Sequence, residues 1–204
     1  MPSVPAAARH WLLEATFILI AVGLAFAVDE YRENRANREL ASRALAGIQA
    51  ELEHNLAVLE PLYPIHQTWM AALNKADTSA ANQSGLDLFF ATRPPLPADA
   101  QSAFAVFRHS AWDAALSSGA LRLIDYDVTA MLSDIYTSQE LAASSLNRLT
   151  TFFSSAAAFE PASRVASVRL MWLTMADIES VEGALLGLYR NHLPAIRAAA
   201  AAAR

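Results

Sequence analysis

Glu51 and His54 form an E-x-x-H pair on a stretch with helical periodicity. Helical bundles use this spacing to turn a carboxylate and an imidazole toward a di-iron centre. Such a centre needs a second pair and two further carboxylates, and the chain has no other E-x-x-H. Both residues also fit the solvated flank of an apolar stripe, which is the expected placement. His66, His109 and His192 have no metal-ligand spacing among them, and each is expected at the surface or between helices. Cysteine is absent, which removes disulfides, thiolate zinc sites and cysteine nucleophiles. Serines are frequent, yet no G-x-S-x-G elbow occurs, and Ser117-Ser118-Gly119 reads as a helix end. Asp125-Tyr126-Asp127 has too few oxygens for calcium and suits a helix start, where carboxylates favour the dipole. Trp69, Trp112 and Trp172 could line an aromatic ligand pocket, but core packing is the plainer expectation. Arg93-Pro94-Pro95-Leu96-Pro97 is a rigid loop or a partner-binding polyproline turn. The residues therefore predict no metal, no cofactor and no catalytic residue, and the chain reads as a non-enzyme.

The elements that carry these residues are helical. Of the 204 residues, 54% are hydrophobic and 17% charged, and alanine-rich sequence favours helix wherever packing permits. A net charge of −5 argues against nucleic acid, which calls for a basic face. Six glycines are too few for a phosphate-cradling architecture.

Residues 1–10 form an N-terminal tail, and the span that follows, 11–31, is expected to cross a membrane. Trp11–Val28 is an eighteen-residue run whose one charge is Glu14. At the helical rise it is about 27 Å long, close to a hydrocarbon core. Trp11 and Tyr31 mark its two interfaces, where amphipathic aromatics favour the headgroups. Within it Ala15, Leu19, Gly23 and Ala27 recur at i, i+4, the spacing that lets another membrane helix approach closely. A cleaved signal peptide is the rival reading, with Arg9 as n-region and Ala25-Phe26-Ala27 as cleavage site. Helix-favouring sequence runs on past that site without a breaker, which favours a retained anchor. Orientation carries two opposed arguments. Arg32, Arg35, Arg38 and Arg43 put the following domain inside by their number, whereas the unopposed positive N-tail puts it outside.

Residues 32–60 read as a stalk that becomes the first bundle helix, with Leu45, Ile48, Leu52, Leu56 and Leu59 as its stripe. Pro61 and Pro64 are expected to break or kink it. The remainder, 61–204, reads as further helices. Ala76–Gly85 is a loop that exposes Ser84. Asp99 caps a helix through Phe104 and Phe107, Ser110 caps the next, and Gly119 ends that one. Asp125 caps a long helix to Phe153. Pro161 opens the last, which Pro194 interrupts. The fold class is all-α: one transmembrane helix continuing as a stalk into an extramembrane helical bundle.

Two stretches, AVGLAFAVDEYRENR and the run from Ala111 to Ile124 (AWDAALSSGALRLI) followed by Leu132-Ser133-Asp134-Ile135-Tyr136, resemble a bacterial family of single-pass membrane proteins of unknown function. The resemblance implies an architecture and a bacterial inner-membrane location, but no activity. Its members have more basic N-tails, which implies a domain on the periplasmic side. Here Arg9 alone carries that signal.

The expected function is that of a non-catalytic accessory subunit of a larger membrane complex, respiratory, photosynthetic or transport. Its partners would be membrane lipid and other integral membrane subunits, or a second copy of itself, and not nucleic acid. The alternatives are a membrane-tethered sensor or small-ligand module and, last, an enzyme whose site has no familiar pattern.

Overall fold

The computed structural model describes residues 6–77, 79, 83–98 and 102–203, with side chains from residue 17 onward, and all its regular elements are helical. Helix α1 spans Ala6–Asn74, about 100 Å at the helical rise. Short helices α2 (Gly85–Ala91) and α3 (Ser110–Ser118) and a 3-10 turn (Ala120–Leu123) follow. Then come α4 (Tyr126–Phe153), the single-turn α5 (Ala156–Phe159), a 3-10 turn (Pro161–Ser163) and α6 (Arg164–Ala202).

The bundle has three long members. Glu53 meets Arg197 while Tyr63 meets Glu179, so α1 and α6 run antiparallel. Gln139 meets Tyr189 while Arg148 meets Asp177, so α4 also opposes α6. Helices α1 and α4 therefore point the same way. One core cluster joins Leu45, Ile48, Leu52 and Leu59 of α1 to Leu132 and Ile135 of α4 and to Leu185, Leu193 and Ile196 of α6. A second, toward the other end, gathers Trp69, Phe89, Leu149, Met171 and Met175. The stripe expected on α1 is the buried face, with Leu56 half-buried.

Several local expectations hold. Gly119 ends α3 with φ 76°, a left-handed conformation suited to glycine. The Asp125 carboxylate accepts from the backbone N–H of Asp127 and Val128, capping α4, which ends at Phe153 as expected.

Others are corrected. Helix α1 does not end at Pro61 or Pro64 but runs through both to Asn74. Each proline deprives the carbonyl four residues earlier of its donor. Those carbonyls belong to Ala57 and Glu60, both exposed and open to water, while Leu59, Leu62 and Trp69 anchor the opposite face. Pro194 likewise lies inside α6, with exposed Arg190 four residues before it. Pro161 opens a 3-10 turn, and α6 begins at Arg164. Asp99 lies outside the described residues, and the chain from Ser102 to His109 is extended or irregular, not helical. Ser110 is the first residue of α3, not its cap. Ser84 is buried: it is the N-cap of α2, in a capping box with Asp87.

Candidate functional site

The first exposed surface to explain is on α1. Phe17, Leu19 and Phe26 are 71%, 73% and 71% exposed, and Ile18, Ile20, Leu24 and Val28 are exposed around the same cylinder. A helix that is apolar all round is ordinarily buried in protein or lipid. Among the described residues no other element covers it, and the bundle begins near Leu40. Leu19, Gly23 and Ala27 form one open row, and a Cβ placed on Gly23 would meet nothing within 4 Å. Tyr31 is exposed at the polar end. The side chains of Trp11 and Ala15 lie outside the described residues.

Among the described residues no helix is long and apolar enough to cross a membrane. The apolar run with described side chains is Phe17–Val28, about 18 Å of helix, against a hydrocarbon core of about 30 Å. The rest of the expected span falls on residues 11–16.

The second feature is a buried polar seam that sequence reasoning missed. Glu51, expected at a solvated flank, is buried. Its carboxylate accepts from the backbone N–H of Ala111 at 2.8 Å and of Trp112 at 3.4 Å, from Ser110 Oγ at 3.1 Å and from Tyr136 Oη at 2.6 Å. It therefore serves the first turn of α3 as a cap borrowed from another helix. One turn further, Asn55 clasps the backbone of Arg108, donating to its carbonyl at 2.7 Å and accepting from its N–H at 2.9 Å. Gln139 donates to Tyr189 Oη at 2.9 Å. Burial raises the pKa of both phenols, and for Tyr136 the bond to Glu51 raises it further, so both stay protonated.

Three turns on, His66 is fully buried between Glu182, 2.6 Å from Nδ1, and the carbonyl of Ala103, 2.8 Å from Nε2. Burial alone disfavours the imidazolium, but the hydrogen bond and charge of Glu182 outweigh it and the pKa rises. Asp113, 2.6 Å from exposed His109, raises that pKa as well. His54 points elsewhere, lining an open cleft, and His192 is half-buried.

The E-x-x-H pair therefore diverges, with Glu51 turned into the seam and His54 onto the cleft. Among the described residues no three His, Asp or Glu side chains converge on a metal position, and no hydroxyl is bonded to a histidine as nucleophile to base. Trp69 packs in the second core cluster and donates to the Phe89 carbonyl. Trp112 stacks on Tyr136, centroids 4.7 Å apart, beside the first cluster, and Trp172 flanks the second. Trp112 and the other two therefore belong to different core clusters.

Comparison with protein-family models, with curated proteins and with solved structures finds no match for this chain.

Proposed function

We propose that the chain is a membrane-tethered, non-catalytic subunit that holds a helical domain beside other integral membrane proteins. The observation that carries this reading is the uncovered apolar cylinder Phe17–Val28, which in sequence follows residues 11–16 with Glu14 as their one charge and is joined to the bundle through the continuous helix α1. Exposing this much contiguous apolar surface to water is costly at roughly 25 cal/mol per Å². Lipid removes that cost all round the helix, and the Leu19–Gly23–Ala27 row supplies a face smooth enough for a second helix. Its seat is a bacterial inner membrane, with the bundle on the outer side as the unopposed N-terminal charge favours. Carbonate extraction tests the tether. Full-length protein should stay with the membrane pellet, and recovery in the supernatant would defeat the reading.

A further inference from the structure

A cleft of about 630 Å³ opens between α1 and the extended chain that precedes α3, a volume typical of small-molecule sites. One wall is the α1 face formed by His54, Ala57, Val58, Pro61 and Leu62, and the other is the segment around Phe104, Val106, Phe107 and Arg108. That second wall is fixed at both ends by buried α1 side chains. His66 holds the Ala103 carbonyl and Asn55 clasps both backbone groups of Arg108. Between the pins Ala105 is buried in the first core cluster, and Val106, beside the cleft, is left 66% exposed. A gap with clamped walls needs no reorganisation to admit a ligand.

Its chemistry is asymmetric. Most of the lining is apolar, and its titratable residues are Arg108 and His54. Among the described residues neither side chain has a hydrogen-bond or ion-pair partner, and no Asp or Glu lines the cleft. Pro61 also leaves the Ala57 carbonyl, on the same wall, without its helical donor. We propose that this cleft binds a small amphipathic monoanion, an aryl or medium-chain carboxylate. Its apolar body lies between Val58, Leu62, Phe104 and Phe107, and its carboxylate meets Arg108, with His54 donating beside it. Arginine suits this role because its fork matches a carboxylate's two oxygens. The inference rests on the bundle and not on the tether.

The test is calorimetric titration of the full-length protein in lipid nanodiscs with 2-naphthoate, with empty nanodiscs as the blank. Should the chain not enter nanodiscs, the tether fails and the same titration runs on the chain free in buffer. One-site binding is expected, at least tenfold weaker for neutral 2-naphthamide and for Arg108→Met, and abolished by Ala57→Trp, which fills the cleft. Ala57 and Arg108 are exposed, so both variants should keep wild-type helicity by circular dichroism. Equal affinity for acid and amide, affinity unchanged in both variants, or no heat beyond the blank would each overturn the proposal.

Discussion

Tyr136 on α4 donates its hydroxyl to the Glu51 carboxylate on α1 across 2.6 Å, although the two are 85 residues apart in the chain. The same carboxylate caps α3, so one side chain ties three helices together. The bond also explains how two parallel helices, each packed chiefly on α6, stay in register. Trp112 of α3 stacks on the Tyr136 ring and shields the bond from water, which strengthens it.

Removing that carboxylate should be among the costliest polar substitutions in the domain. Glu51→Ala leaves a buried phenol and two backbone N–H groups without acceptors, a loss of about 3 kcal/mol. Tyr136→Phe removes one donor and keeps the ring, and should cost about 1 kcal/mol. Urea unfolding of the detergent-solubilised chain measures both. Equal and negligible effects would show that solvent replaces the seam.

The His66–Glu182 pair makes stability depend on pH. Because the folded-state pKa of His66 lies above its unfolded value, the stabilisation is complete below the unfolded value of about 6.5. It is lost as pH rises through the folded value. His109 shifts the same way, but its pair is exposed and contributes little. The melting temperature should therefore fall as pH rises above about 6.5, and Glu182→Gln should flatten that slope. His66→Leu, which strands Glu182, should cost about 3 kcal/mol. An identical slope in wild type and Glu182→Gln would assign the dependence to other groups.

What the sequence discloses of this fold is what is local. The Leu45–Leu59 stripe, the Asp125 cap and the left-handed Gly119 each depend on neighbours within a turn or two, and each is where periodicity or residue type places it. Pro61, Pro64 and Pro194 mislead because proline's local cost is overridden by buried leucines on the opposite face and by water on the near one. The extended path of residues 102–109 is set by His66, 37 residues before its partner, and by Asn55, 53 before its own. Glu51 serves N–H groups about 60 residues away. Nothing in a single sequence announces such pairings. A carboxylate, an amide and an imidazole at positions 51, 55 and 66 of an apolar stripe were nonetheless a signal, since polar groups on a buried face need partners.

Topology is open to a single labelling experiment. The chain has no cysteine, so Ser117→Cys, at an exposed position on α3, gives one clean thiol. A membrane-impermeant maleimide should label it in intact cells whose outer membrane is permeable to the reagent. Labelling only after lysis would place the bundle inside, as the arginine count on the stalk favours.

Under the membrane tethering proposed above, association through the apolar part of α1 should depend on Gly23. Its neighbours in the row, Leu19 and Ala27, lie one turn to either side, and the missing side chain lets a partner's backbone approach within van der Waals range. Within this chain nothing stands within 4 Å of a Cβ placed there, so Gly23→Ile creates no internal clash and should leave the melting of the bundle unchanged. In lipid the added carbons do matter if a second helix packs on the row. Lipid tails already solvate apolar side chains, so close packing, and not the hydrophobic effect, holds membrane helices together. Wedging an isoleucine into that contact should cost on the order of 1–3 kcal/mol, by analogy with overpacked cores. That is roughly a five- to 140-fold weaker association, since about 1.4 kcal/mol is a factor of ten. Leu24→Ile, one position round the helix, changes shape but not bulk and serves as the control. Self-association and partner recovery in mild detergent should fall for Gly23→Ile and hold for Leu24→Ile. Wild-type recovery for both would reduce the apolar helix to a tether and move any partner contact onto the bundle.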